Sequence, residues 1–473
     1  MLPRVRPTSV LALAAVLTGC VGGHAPSGPA SPLVAYAVTP PPAGSWTIHM
    51  EARIERAPGD RVVAPEAGDA VANVVEVRGA STVPLARAGD GWLAPSCHER
   101  CTLRYDVDLE ALAAGCHRMD CPRRIGGAVL GSAATWMLRP QPSGDALMRV
   151  EVRGPDVARF ATGLRPAGEG TYAMRAWQLG EAPFTAVGDF RRERVDVGGA
   201  ALDLVLLGAP LAMGDDGIRR WVGDAAGCVA GLFGRFPVNA SLFVVPVQGA
   251  DEVVFGRVMS LAGASVALLV GKDTPLAHLH DDWVSVHELF HLGTPSFVGE
   301  GHWLEEGLAT YYEPILRARA GWMREQDLWK HLVKEMPRGV RKPGSPASME
   351  DRDDIDSTYW GGALFALLAD VRIRATTHGA KSLDSVMREV LAKLGDATHG
   401  ATVADFLRVG DQASGTRVLS ELYAHDAMAG DPVELEPLWR SLGIEAGPDG
   451  AVTLRDDAPM ADVRKEIATG VPR

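Results

Sequence analysis

His287 and His291 stand four residues apart in the run His-Glu-Leu-Phe-His at 287–291. In a helix this spacing puts both imidazoles on one face, where they can hold a single cation between them. Glu288 projects beside the same face, placed to take a proton from a water that the ion activates. The chemistry that combination serves is hydrolysis with zinc, one ion per chain. A catalytic zinc takes three protein ligands and keeps a position open for water. A third donor is therefore required, and Glu300, His302, Glu305, Glu306 and Glu313 are the candidates nearby.

The elements around the motif can be read from periodicity. Ala201–Leu207, Leu242–Val247 and Ser265–Val270 are apolar runs of strand length. Between them, Ile218, Trp221, Val222, Ala225, Val229, Leu232, Phe233 and Phe236 fall on one stripe and predict a helix over 215–236. Asp281-Asp282 is a helix start for the motif helix. Beyond 303 the pattern is helical, over 303–313, 325–335, 358–377, 382–394, 402–409, 417–428 and 434–442. Glu306 stands on the first of these, and Gly307 after it leaves room for another helix to come close.

Trp-Leu-x-Glu-Gly-x-Ala-x-Tyr at 303–311 resembles the third-ligand helix of the gluzincin metallopeptidases, shared by the aminopeptidase N and glycyl aminopeptidase families. The resemblance implies Glu306 as the third zinc ligand. The runs Tyr359-Trp360-Gly361-Gly362-Ala363-Leu364, 367–374 and 382–387 are similar to helices that follow the motif in the glycyl aminopeptidase family. They imply that Tyr359 donates a hydrogen bond to the tetrahedral intermediate. The likeness covers about residues 200–445 and implies a thermolysin-like α/β catalytic domain acting on a peptide or protein substrate. No C-terminal PDZ-type domain is recognised. Fourteen residues separate His291 from Glu306, fewer than in the aminopeptidase N family, so a shorter loop must join the two ligand helices. Aminopeptidases of this clan hold the substrate's free amine with an acid on the strand edge before the zinc helix. That edge is expected at Gly263-Ala264-Ser265-Val266, which has no carboxylate, and leaves exo- and endopeptidase action both open.

The N-terminus reads as a targeting segment. Arg4 and Arg6 precede an apolar stretch, and Leu17-Thr18-Gly19-Cys20 is similar to a bacterial lipoprotein signal with acylation of Cys20. Residues 21–45, rich in Pro, Ser, Ala and Gly, are expected to be a flexible tether. The protein is thus expected outside the cytoplasm, anchored by lipid to a bacterial envelope membrane. From 46 to 195, alternating runs such as Trp46, Ile48, Met50, Ala52 and Ile54 predict a β domain of sandwich type. Within it Cys97, Cys101, Cys116 and Cys121 form either two disulfides or, with His98 or His117, a structural zinc site. Cys228 lies on a helix pattern as a buried free thiol.

The expected architecture is multidomain α+β: the β domain to 195, the catalytic domain over 196–330 and an all-α region over 331–473. Of 473 residues 47% are hydrophobic and 22% charged, an ordinary globular balance. A net charge of −12 with no dense basic stripe excludes a nucleic-acid partner. Oligomeric state is not legible. Zinc-dependent peptide-bond hydrolysis is the reading these residues favour. Its competitor is a non-catalytic envelope lipoprotein that uses the fold as a binding or scaffolding module.

Overall fold

The computed structural model describes residues 32–115, 121–447 and 450–470, and Pro32–Arg473 forms one unit by its contacts. The signal segment, Cys20, Cys116 and His117 lie outside the described residues.

An eight-stranded sheet dominates the N-terminal part. At its centre β1 (Leu33–Thr39) runs antiparallel to β2 (Thr47–Glu55), which pairs with β3 (Arg100–Asp108). On its other side β1 is parallel to β4 (Leu147–Val152). Residues 33–39 were expected within the tether, and this is a correction. Val34, Tyr36 and Val38 alternate inward and are buried, so a strand hides behind Pro/Ser-rich flanks. Two phenols fasten this core: Tyr36 donates to the Leu138 carbonyl and Tyr105 to the Trp136 carbonyl, both at 3.0 Å. Cys97 and Cys101 are joined by a disulfide, and Cys121 is disulfide-bonded as well. That excludes the structural zinc alternative at these three positions.

The second sheet has five strands, in the order β5 (Phe190–Val197), β6 (Ala200–Leu207), β7 (Ala240–Val247), β9 (Ser265–Gly271), β8 (Val253–Met259). β6, β7 and β9 are parallel, and their near-continuous apolar runs are what burial on both faces demands. β5 and β8 close the two edges antiparallel. Both edges differ from expectation. The boundary at 195/196 cuts β5, whose Arg-Arg-Glu-Arg sequence reads as surface because its strand has one open side. β8 carries no clean alternation and is legible only from its pairing. The edge beside the motif is therefore 253–259, and 265–271 is interior.

Helix α1 (Gly214–Phe233) covers this sheet through Trp221, Val222, Ala225, Val229 and Leu232. Next come α2 (Val284–His291), α3 (His302–Arg319) and α4 (Gly362–Thr376), the last preceded by a π-helical turn over Asp356–Gly361. The expected helices at 325–335, 382–394, 402–409 and 434–442 are present with small changes of boundary. The boundary at 330/331 falls inside the first of them. The C-terminal region is not wholly helical, since Ile444–Ala446 and Val452–Leu454 pair as a hairpin. No described helix is long and apolar enough to cross a membrane.

Candidate metal centre

α2 begins where Asp282 accepts hydrogen bonds from the backbone of Val284 and Ser285, both at 2.9 Å. The helix is short, and its hydrophobic face holds it in place. Phe290 packs on Phe233 of α1 and stacks on Tyr312 of α3 with ring centroids 5.3 Å apart. This turns His287 and His291 away from the core toward a groove, though both stay buried.

α3 supplies the opposite wall. Its start is fixed by Glu350, a residue with no motif to announce it. One carboxylate oxygen accepts from the Trp303 indole at 2.6 Å and the other from the Gly301 amide at 3.0 Å. One turn into the helix, Glu306 reaches both imidazoles. Its Oε2 lies 3.1 Å from His287 Nε2 and 3.6 Å from His291 Nε2, and the two Nε2 atoms are 3.2 Å apart. Of the five candidate third donors, Glu306 is the one that joins the histidines in a group able to hold a metal. Glu313 instead pairs with Arg317 at 2.6 Å.

The donor set fits zinc. Donors ~2.0–2.1 Å from a tetrahedral ion lie about 3.3–3.4 Å from one another, close to the three separations observed. The Nδ1 atoms of both histidines are buried without a hydrogen-bond partner, and the polar contacts of both rings are made at Nε2, with each other and with Glu306. His287, His291 and Glu306 would hold the ion.

Charge in the site is strongly coupled. Burial lowers the His287 ring's affinity for a proton. For His291 burial works in the same direction, but Glu306, then Glu288 and Glu305, outweigh it and raise the ring to about 9. Burial works upward on Glu306, yet the two imidazoles draw it well below the carboxylate range. The opposite shifts of the two rings reflect how one carboxylate divides its attraction. Together they describe a pocket that already favours positive charge between its walls. Burial pushes Glu288 up to about 7. Glu288 lies under the edge strand β8, where a Cβ added to Gly256 would sit 2.3 Å from its Cγ.

Tyr359 arrives from the π-helical turn, its ring stacked over His287 at a centroid distance of 6.0 Å. Burial, then the charges of Glu306 and Glu288, hold its phenol above the usual range, so the hydroxyl is a donor. The five residues singled out in the sequence (His287, Glu288, His291, Glu306 and Tyr359) thus line one groove of about 820 Å³. Sequence reasoning missed three other contributors. Glu350 and Arg257 line the groove, and Glu181 reaches it from the 3-10 turn Ala176–Glu181. That turn is pinned beside the site by Gln178, which donates to the Leu261 carbonyl at 2.7 Å.

Two histidines and a glutamate on adjoining helices, beside a five-stranded mixed sheet, form a group able to hold a metal ion. No protein-family model and no curated protein matches this sequence. Among solved structures, an aminopeptidase N family protein from Idiomarina loihiensis superposes with a TM-score of 0.63 at 19% identity, over 87% of this chain and 78% of that one. The two share a fold. An M1 zinc metallopeptidase from Deinococcus radiodurans aligns over 86% of this chain and 95% of its own, at 15% identity and a TM-score of 0.46, too loosely to compare folds.

Proposed function

We propose that the protein is a zinc-dependent peptidase, aminopeptidase-like, working outside the cytoplasm and anchored through lipid on Cys20. The observation that carries the catalytic reading is the meeting of His287, His291 and Glu306 with Glu288 half-buried beside them. Zinc in this donor set supplies Lewis acidity and lowers the pKa of water toward about 7.

Glu288 accepts the proton of the attacking water and returns it to the leaving amine, acting first as general base and then as general acid. Tyr359 donates to the oxyanion of the tetrahedral intermediate, a role consistent with a phenol that stays protonated. The edge strand β8 borders one side of the groove, where its Val258 backbone hydrogen-bonds Glu288. Glu181, Glu300 and Glu305 line it without being needed as ligand or base. Their negative charge supports binding of a substrate ammonium, the task for which 263–266 offered no acid.

The deciding experiment pairs zinc content with turnover. Glu288→Gln keeps the three ligands, so it should retain one zinc per chain and lose peptide hydrolysis. Parental activity in that variant would refute the mechanism. Zinc-free protein that cleaves nothing in a mixed peptide library would favour a scaffolding role.

A further inference from the structure

A second cavity, of about 340 Å³, adjoins the π-helical turn that carries Tyr359. Tyr359 lines the metal groove and Gly361, two residues on, lines this cavity. Its size lies within the ~300–1,000 Å³ common for small-molecule sites. The floor is apolar, formed by Leu364, Phe365 and Leu368 of α4 together with Val433.

The walls carry charges of both signs that the protein leaves incompletely matched. Arg352 is buried, 7% exposed. Its Nε and Nη2 donate to the carbonyls of Pro346 and Ala347, while Nη1 faces the Met349 sulfur at 3.0 Å, a weak acceptor. Arg341 stands near it and is bonded only to the carbonyls of Ser345, Pro346 and Gly430. Among the described residues no carboxylate forms an ion pair with either guanidinium, and Asp354 attracts Arg352 only at longer range. Asp426 brings the opposite sign from a second π-helical turn, Tyr423–Met428. Its Oδ2 is buried without a hydrogen bond, and its one ion-pair partner, Arg372, is 3.8 Å away. A buried charge without a close counter-charge costs free energy, and a ligand that brings the missing charge recovers it.

We propose that this cavity binds a small zwitterion with an apolar body, an amino acid of the leucine type. The carboxylate meets Arg352 and Arg341, the ammonium meets Asp426, and the side chain covers the floor of α4. This site does not depend on the catalytic reading and stands whether or not the metal groove hydrolyses peptides.

Calorimetric titration of the zinc-loaded full chain with L-leucine, N-acetyl-L-leucine and isopentylamine, which lacks both the carboxylate and any hydrolysable bond, tests it. Leucine should bind, and each analogue, lacking one charge, should bind about tenfold more weakly. Val433→Trp fills the floor without touching the charged walls and should remove this binding while hydrolysis at the metal groove continues. Arg352→Gln should weaken leucine as well, by no more than loss of the ligand's carboxylate does, because Arg341 remains. The proposal is overturned by an absence of leucine binding at millimolar concentration, by analogues that bind as well as leucine, or by an isotherm unchanged in Val433→Trp. The last result would assign the binding to the metal groove.

Discussion

Gly307 of α3 and Gly362 of α4 meet backbone to backbone. A Cβ on Gly307 would lie 2.2 Å from the Gly362 Cα, and one on Gly362 would lie 2.0 Å from the Trp303 carbonyl oxygen. Glu306 precedes the first glycine by one residue and Tyr359 precedes the second by three. The helix crossing therefore brings the third proposed ligand and the proposed oxyanion donor to one place. No side chain can be inserted there without parting the helices.

Gly307→Ala and Gly362→Ala should each destabilise the fold by about 1–3 kcal/mol, the usual cost of overpacking. Both should also lower zinc occupancy, because the separation they force is next to Glu306. Urea denaturation and metal analysis check the two effects, and a stable, fully zinc-loaded Gly307→Ala would contradict the close approach.

Gly256 on the edge strand tests the base without altering it. An added methyl at 2.3 Å from Glu288 Cγ and 2.7 Å from Val284 Cγ1 must push the carboxylate aside. Gly256→Ala is expected to retain zinc and lose much of kcat. Equal kcat in variant and parent would show that Glu288 does not act from this position.

Tyr359→Phe removes one hydroxyl and leaves the stacked ring over His287. Loss of a single oxyanion donor costs about 10²–10³ in kcat. KM and zinc content should hold, and a change confined to KM would place the hydroxyl in substrate binding instead.

Behind α3, a buried polar network ties the ligand helix to its neighbours. Asp370 accepts from Tyr311 at 2.9 Å, from Arg374 Nε at 2.9 Å and from the Leu383 amide at 2.8 Å. Asp370→Ala leaves Arg374 with Glu466 and Asp384 but strips the buried Tyr311 hydroxyl and Leu383 amide of their acceptor, and should cost about 1–3 kcal/mol for each group left unmatched. A shift in the urea midpoint no larger than that of a surface substitution would show that neither group is left unmatched.

Cys228 offers a pH-linked check of burial in α1. Burial pushes its thiol up to about 12, with the nearby Asp224 charge acting in the same direction. The reactive thiolate is then scarce throughout pH 7–9 and increases only as the pH approaches that value. Iodoacetamide at pH 8 should label denatured protein and spare native protein, and rapid native labelling would mean that α1 opens readily.

Much of the site was legible because it rests on helical spacing. His287, Glu288 and His291 declare themselves at i, i+1 and i+4, and the Trp-Leu-x-Glu-Gly run pointed to Glu306 before any geometry was known. Gly307 was readable as a gap for another helix, and Gly362 fills it. What escaped is set by contacts distant in sequence. Glu181 reaches the groove only because Gln178 fastens its turn to Leu261, and Glu350 matters only through Trp303 and Gly301. β8 escaped because an edge strand bordering a groove needs no regular alternation. β1 escaped for a different reason, since its flanking composition masked a short inward alternation.

On the lipid-anchored reading, that first strand decides how the protein carries load. Twelve residues lie between Cys20 and Leu33. Fully extended, they span no more than roughly 40 Å. The leash is short, and it enters the fold at a strand bonded along both sides, to β2 and β4. A pull from the membrane would meet two ladders of hydrogen bonds loaded together in shear, with no free edge to peel. On that reading the eight-stranded sheet would be the mooring, while the metal-binding group sits on helices beside the other sheet.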